Sequence, residues 1–183
     1  MQLCRIQLAL GLTLLMGCGR LPMPSPHQAP TSEPPASVQQ LWAGVARVDI
    51  TPKVSYSTFG HGPDARVTNG IWTRLQCTAF VFKTKLAAPQ IQQPHAAPEE
   101  PLAIVSCDLP AMSMLLQRSV AKRLEGKIPA ARITMVATHT HAGPAHYFGN
   151  ATYNGATSAR LPGFSKPLLD ELSGKIAGAI TRA

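Results

Sequence analysis

The chain has 183 residues, which suits one domain with attached segments and excludes two full domains of ordinary size. Seventeen lysines and arginines against nine acidic residues give a formal net charge of +8. These basic residues are scattered along the chain, and no aromatic residues alternate with them as they do in single-strand binders. The composition therefore predicts a basic solvated surface and no nucleic-acid partner.

The first part of the sequence, residues 1–18, has the layout of a bacterial export signal. Arg5 precedes an apolar stretch from Ile6 to Met16, which is too short to cross a bilayer as a helix. The string L-M-G-C that ends at Cys18 resembles a lipobox, so we expect a lipidated Cys18 that anchors the protein to a membrane surface of the cell envelope. The alternative is an ordinary cleaved signal, which would give a secreted protein.

Two proline-rich stretches are predicted to lie outside the packed core. Residues 19–40 are predicted to form an extended tether, and residues 41–183 the folded part. A second proline-rich stretch at 86–101 is predicted to be a surface loop. His27 in the tether and His95 in the loop are predicted to be bystanders.

The folded part alternates strands and helices, which predicts an α/β fold with a mixed sheet. The predicted strands are 45–50, 74–82, 102–107 and 133–137, and the predicted helices are 112–124 and a final one after a Ser165 cap. The strand, helix and strand from 102 to 137 form a βαβ unit, flanked by helices, whose two strands are parallel.

Two cysteines, Cys77 and Cys107, lie in the second and third predicted strands. If these strands form a hairpin in which Phe82 pairs with Leu102, the two cysteines lie opposite each other. An exported chain permits a disulfide between them. Buried free thiols in adjacent strands are the alternative, and they are favoured because a guessed register slips easily.

Two polar residues in turns have simple interpretations. Asp108 follows the third strand, and we expect it to cap the next helix and not to orient a site residue. Asn150, in the string Asn-Ala-Thr, fits a glycosylation acceptor, which we interpret as coincidence beside a bacterial-type signal.

The string T-H-T-H at 138–141 follows the last strand of the βαβ unit, at the sheet edge where open α/β folds bind ligands. If the chain is still extended there, His139 and His141 project to the same face. Two imidazoles at a strand end are half of a zinc site, because catalytic zinc usually has three protein ligands. The residues alone leave a metal site, a catalytic site and a polar turn open, and His146 is predicted to be a bystander.

The string T-H-T-H at 138–141 is compatible with two functional classes. Metallo-β-lactamase-like hydrolases have a similar T-H-x-H-x-D-H signature, but Gly143 and Pro144 replace its Asp and His, and His146 is out of step. This replacement removes the carboxylate that bridges the metals. An exported lipoprotein binding module, in which the histidines only line a loop, is the non-catalytic alternative.

A longer set of strings resembles the neutral/alkaline non-lysosomal ceramidase family. In the family's order they are A-G-V-A-R-V-D-I-T-P from residue 43, a glycine-rich F-G-H-G loop, N-G-I-W-T-R-L-Q-C-T-A-F-V-F, A-I-V-S-C-D-L and A-T-H-T-H-A-G-P. The proline-rich stretch at 86–101 departs from the family, and so does F-G-H-G, where the family more often has Gly-Tyr-Gly. The resemblance covers nearly all of the folded part.

The resemblance implies a zinc-dependent hydrolase that cleaves the amide of ceramide, or of another N-acyl lipid, into a sphingoid base and a fatty acid. His139 carries over as a Zn²⁺ ligand, and His141 as a catalytic residue that contacts the polar end of the substrate. The family's other ligands (His, Glu and Tyr) and its reaction-centre serine come from later in its chain. We therefore expect an N-terminal portion that is inactive alone, that a second chain could complete, and whose unpaired strands lower its solubility.

Overall fold

The computed structural model describes residues 38–53, 55–86, 100–155 and 163–183. The predicted signal, nearly all of the predicted tether, and the three residues Cys18, His27 and His95 lie outside these ranges. Across the described ranges, no helix is both long enough and apolar enough to cross a membrane.

Four strands form one sheet, in which their spatial order follows their order in the chain. The strands are β1 (Val38–Asp49), β2 (Gln76–Leu86), β3 (Leu102–Cys107) and β4 (Ile133–Ala137). β2 pairs antiparallel with β1 and with β3, whereas β3 and β4 are parallel. The predicted α/β class with a mixed sheet is confirmed.

Three α-helices accompany the sheet in the described ranges: α1 (Met114–Arg123), α2 (Ala151–Gly155) and α3 (Lys166–Arg182). α1 is the crossover between β3 and β4, so the predicted βαβ unit is confirmed. The Ser113 side chain caps α1 by accepting from the Leu116 N–H at 3.2 Å. The predicted Ser165 cap of α3 is also present, since its side chain accepts from the Leu168 N–H at 3.4 Å.

β1 begins well before the alternating pattern at 45–50 that predicts it. Its first residues do not alternate between apolar and polar, yet Gln40 pairs with Lys85 and Leu41 with Thr84 at the far end of β2. A register shift between Val38 and Gln40 marks an irregularity in this pairing. The ladder with β2 orders these residues, so the strand extends into the stretch predicted as tether.

The hydrophobic core lies between one face of the sheet and the helices α1 and α3. α3 packs on β1, on β2 and on α1. Each buried aliphatic side chain contributes about 1.5–3 kcal/mol relative to leaving it exposed. Core residues with no exposed surface include Ala79, Ala103, Val105, Leu116, Val120, Leu172 and Ile176.

The hairpin of β2 and β3 has the predicted register, with Phe82 opposite Leu102 and Cys77 opposite Cys107. The two cysteines are joined in a disulfide. The favoured alternative of free thiols is therefore wrong. Direct opposition in adjacent antiparallel strands brings the two sulfur atoms together on the buried face, and an exported chain permits the bond.

Candidate functional site

The carboxyl ends of the parallel strands β3 and β4 lie side by side and carry Asp108 and Thr138. The Asp108 carboxylate accepts from the Gln76 N–H at 2.9 Å and from the Thr138 hydroxyl at 3.3 Å. Asp108 thus ties together the ends of three strands. The predicted helix-capping role is wrong, because the carboxylate is used by the strands and Ser113 caps α1. Its position beside Thr138 favours the alternative role of orienting the site.

His139 departs from the extended conformation assumed for T-H-T-H, because its φ of 63° is left-handed. Its backbone N–H donates to the Leu109 carbonyl at 3.1 Å. Its ring Nδ1 lies 2.6 Å from the Pro110 carbonyl oxygen. A carbonyl can only accept, so Nδ1 carries a proton, and in the neutral imidazole Nε2 then keeps its lone pair. In metal sites generally, a hydrogen bond of this kind from the other ring nitrogen to a carbonyl fixes the orientation of a ligand histidine.

His141 lies beside His139 although the chain turns between them. The centroids of the two rings are 5.1 Å apart, with planes at 80°. Gly60 packs against the other side of His141, where an added Cβ would lie 2.6 Å from the ring Nδ1. Gly60 also has a φ of 91°, which side chains rarely adopt. A glycine is therefore required at this contact.

His61 is a third exposed imidazole at the site, and no sequence pattern predicts a role for it. Its ring centroid is 5.7 Å from that of His141, with planes at 85°. The loop that carries His61 is attached to the loop after β4, since the Phe59 N–H donates to the Gly143 carbonyl at 3.2 Å. The signal in the sequence was the F-G-H-G departure from the family pattern. We call His61, His139 and His141 the histidine cluster.

The histidine cluster fits zinc at one position only. No group of three or more His, Cys, Asp or Glu side chains that could hold a metal occurs in the described part of the chain. Cys77 and Cys107 are in the disulfide, and Asp108 bonds the strand ends. The free Nε2 of His139 has the chemistry of a single Zn²⁺ ligand. A metal at the histidine cluster would therefore need further ligands from outside the described residues.

His146 is predicted to have no part in the site, and in the structure it makes hydrogen bonds to the segment before α3. It is 6% exposed, and its Nδ1 lies 2.7 Å from the Gly163 carbonyl, which accepts its proton. Its own carbonyl accepts from the Ser165 N–H at 2.7 Å. Its Nε2 is buried without a hydrogen-bond partner among the described residues. These contacts connect the loop after β4 to the start of α3.

A group of aromatic side chains comes from the loop that carries His61 and from the segment that follows His141. The ring of Phe59 is 5.1 Å from that of Phe148 and 6.3 Å from that of Tyr153, and the last two are 5.7 Å apart. Tyr147 stacks on Phe148 at 4.3 Å, and its hydroxyl donates to the Ala111 carbonyl. Burial raises the pKa of Tyr147 well above its usual range. We call Phe59, Phe148 and Tyr153 the aromatic cluster.

The fold and the site together define an α/β domain that presents accessible histidines at the carboxyl ends of parallel strands, which is where folds of this kind bind ligands. A family model described as neutral/alkaline non-lysosomal ceramidase, N-terminal, matches residues 42–183. The chain belongs to this family. Family membership takes the place of the metallo-β-lactamase-like alternative.

The individual proteins to which this chain is similar are also named ceramidases. The neutral ceramidase of Mycobacterium tuberculosis (strain ATCC 25618 / H37Rv) is 31% identical over 135 residues, which cover 71% of this chain and 20% of that protein. The crystal structure of neutral ceramidase from Pseudomonas aeruginosa superposes with a TM-score of 0.63 at 26% identity, covering 78% of this chain and 21% of that one. A ceramidase complexed with C2 gives a TM-score of 0.64 with the same identity and coverage. This chain spans about a fifth of the length of these relatives.

Proposed function

We propose that this chain supplies the N-terminal part of a zinc-dependent hydrolase that cleaves the N-acyl amide of ceramide or of a similar N-acyl lipid. The observation that carries the proposal is the family match over residues 42–183. The relatives are named neutral ceramidases, which indicates the substrate class. The histidine cluster lies at the strand ends where this class of fold binds ligands.

In this proposal His139 is a zinc ligand. Its Nδ1–H donates to the Pro110 carbonyl oxygen with 2.6 Å between nitrogen and oxygen, so the ring presents Nε2 in a fixed direction. The residue is exposed and therefore accessible to an ion and to a substrate. When bound, zinc supplies Lewis acidity toward the amide carbonyl.

His141 is the catalytic residue that contacts the polar end of the substrate. Its ring is 5.1 Å from that of His139, and Gly60 limits its movement on one side. A held imidazole in this place can donate a hydrogen bond to a substrate hydroxyl or exchange a proton with the leaving amine. A neutral amide substrate needs such a group because its nitrogen is a poor leaving group without a proton.

In this proposal the remaining ligands and the reaction-centre serine come from residues outside the described ranges. One imidazole does not hold Zn²⁺ against water at useful affinity. We therefore expect this chain alone to bind zinc weakly and to hydrolyse no ceramide.

A chimera tests the proposed function. Residues 42–183 replace the matching part of the Mycobacterium tuberculosis neutral ceramidase, and ceramide hydrolysis and zinc content are measured together. We expect hydrolysis and bound zinc, and His139→Ala should lower hydrolysis at least about 100-fold and release zinc. His95→Ala, in the proline-rich stretch, is the matched control and should change neither quantity.

The contradictory outcome is a folded chimera in which His139→Ala changes neither zinc content nor hydrolysis. Unfolding followed by circular dichroism identifies a chimera that simply does not fold. If the unfused chain binds a neutral N-acyl lipid with the same affinity before and after His139→Ala, and the folded chimera hydrolyses nothing, the non-catalytic binding module replaces the hydrolase.

We propose further that Cys18 carries a lipid that anchors the protein to the cell envelope. The support is the L-M-G-C string at the end of the export signal, followed by a proline-rich stretch. Labelled palmitate should be incorporated into the expressed protein and should be absent from Cys18→Ser. No labelling of either protein would indicate an ordinary exported protein, and equal labelling of both would place the lipid on a residue other than Cys18.

A further inference from the structure

The segment 107–110, at the end of β3, holds Thr138 and His139 by hydrogen bonds along its length. The Cys107 carbonyl accepts from the Thr138 N–H at 3.0 Å, and the Leu109 carbonyl accepts from the His139 N–H at 3.1 Å. The Pro110 carbonyl accepts from Nδ1 of the His139 ring at 2.6 Å. We call residues 107–110 the acceptor segment. It contacts both the backbone and the ring of His139.

The conformation of His139 depends on these contacts. Its φ of 63° is left-handed, and a residue with a side chain keeps that conformation only where its surroundings over-determine it. Because His139 is exposed, burial does not hold it in place. The hydrogen bonds from the acceptor segment therefore supply the constraint that sets its backbone and the direction of its ring.

The acceptor segment is itself attached to the start of β2. The Gln76 N–H donates to the Asp108 carboxylate at 2.9 Å, and the Asp108 N–H donates to the Gln76 carbonyl at 2.8 Å. The Asp108 carboxylate also accepts from the Thr138 hydroxyl at 3.3 Å. The next residues along the two strands, Cys77 and Cys107, lie directly opposite each other and are joined by the disulfide. The covalent bond therefore starts at the first residue of the acceptor segment.

We infer that the Cys77–Cys107 disulfide is a positioning element for His139, because it anchors the acceptor segment that sets the direction of the His139 ring. The inference rests on the proposed function for the role of that ring as a zinc ligand. Hydrogen bonds at an exposed strand end exchange with water, whereas a covalent bond keeps the two opposed strands at a fixed separation. Removing the outer contacts of a ligand histidine lowers metal affinity about 10- to 100-fold.

The tautomer of His139 reports the direction of its ring and needs neither zinc nor hydrolysis. Long-range proton–nitrogen NMR spectra of the full chain, recorded with a chelator at about pH 8, distinguish the Nδ1–H form of a neutral imidazole from the Nε2–H form. In the native chain we expect His139 to be about 90% in the Nδ1–H form, because the Pro110 carbonyl can only accept. In the double variant Cys77→Ala, Cys107→Ala this population should fall below about 50%.

His146 is the internal control for this measurement. Its Nδ1 lies 2.7 Å from the Gly163 carbonyl, so its tautomer is set outside the acceptor segment and should not change. Ile176→Ala is the control for lost stability, since it removes a fully buried side chain of α3 and should leave the His139 tautomer unchanged.

Three results in folded protein would overturn the inference. The double variant could keep the native tautomer of His139, which would limit the disulfide to a contribution to stability. His139 and His146 could change together, or Ile176→Ala could act like the double variant, and either result would show a general loosening of the domain. Circular dichroism establishes that each variant is folded.

Amide hydrogen exchange of the native chain decides the matter if the double variant does not fold. The Thr138 and His139 amides should exchange within about tenfold of the Asp108 amide beside the disulfide, because the inference makes them one unit. Exchange as fast as that of Ala142, whose N–H donates to the Thr140 hydroxyl at 3.2 Å in the following turn, would overturn the inference.

The chimera separates this inference from the proposed function. If the His139 tautomer depends on the disulfide while the chimera hydrolyses no ceramide, the positioning role stands and the hydrolase proposal fails. If the chimera hydrolyses ceramide and the tautomer does not depend on the disulfide, the hydrolase proposal stands and this inference fails. If both hold, the double variant of the chimera should bind zinc about tenfold more weakly.

Discussion

Both faces of the sheet carry apolar side chains, but within the described ranges only one of them is covered by helices. On the covered face, Ala103 and Val105 have no exposed surface beneath α1 and α3. On the open face, the register places Val45, Phe80 and Ile104 side by side across three strands, with exposures of 63%, 41% and 39%. Leu41 and Val136 extend this open apolar surface at its margins.

The difference shows that the side-chain pattern of this sheet suits a layer packed on both sides. Strands in parallel pairings are normally buried on both faces and are correspondingly apolar throughout. The sequence predicted lowered solubility from apolar strand edges, whereas the described residues place much of the exposed apolar surface on a face. The following predictions compare the two faces, from the largest expected effect on stability to the smallest.

A charged side chain placed on each face in turn should show the largest difference in stability between the two faces. Val105→Asp buries an unpaired carboxylate under the helices and should cost about 4 kcal/mol or more of the free energy of unfolding. Ile104→Asp, one residue away on the open face, should cost less than about 1 kcal/mol. Urea unfolding followed by circular dichroism measures both. Equal losses would mean that the open face is as buried in solution as the covered one.

The disulfide should make the next largest contribution to the free energy of unfolding. Its two cysteines lie on the covered face. Cys77 and Cys107 are separated by 30 residues, and closing a loop of that length contributes about 3.5 kcal/mol in the chain-entropy model. The double variant Cys77→Ala, Cys107→Ala should lose about 3 kcal/mol, and reductant should destabilise the native protein alone.

Thr78 and Ser106, directly opposite each other on the open face, provide the control for the disulfide. Replacing both with alanine should change the free energy of unfolding by less than about 1 kcal/mol. If the two double variants lose equal stability, cross-strand pairing and not the covalent bond accounts for the effect.

Sequence patterns predicted the elements that depend on neighbours in the chain. The apolar periods predicted β3, α1, β4 and α3, whereas the register that places Cys77 opposite Cys107 was only one assumed pairing, which the structure bears out. The start of β1 was missed because its order comes from a ladder with β2 more than 40 residues away. Long-range pairing also takes Asp108 away from the helix that local sequence assigned to it.

The histidine cluster was predictable only in part for the same reason. His139 and His141 are adjacent in the sequence pattern, although a left-handed turn and not an extended chain brings their rings together. His61 comes from a loop far earlier in the chain, and its place depends on hydrogen bonds to the loop after β4. No local period could indicate that contact.

Lowering the pH should cause a smaller loss of stability through Asp49, the last residue of β1. Hydrogen bonds from the side chain and then the backbone of Thr51 lower the pKa of Asp49 from 3.8. A carboxyl whose pKa is lowered by folding stabilises the protein above pH 3.8 and loses that contribution as the pH falls through its folded value. Because Asp49 is largely solvated, the loss should be small. Asp49→Asn should reduce the steepness of acid unfolding below pH 3.8, and an unchanged profile would assign it to other carboxyls.

The open face should affect association more than stability. Val45→Thr combined with Ile104→Thr keeps β-branched side chains in the strands and should change the free energy of unfolding by less than about 1 kcal/mol. The same variant should raise the solubility limit and reduce concentration-dependent sedimentation, because it interrupts the row through Phe80. Analytical ultracentrifugation over a concentration series measures this, with the exposed Trp72→Ala as a control for loss of any single apolar side chain. If Trp72→Ala reduces association as much as the double variant does, association arises from scattered apolar residues and the open face has no special part in it.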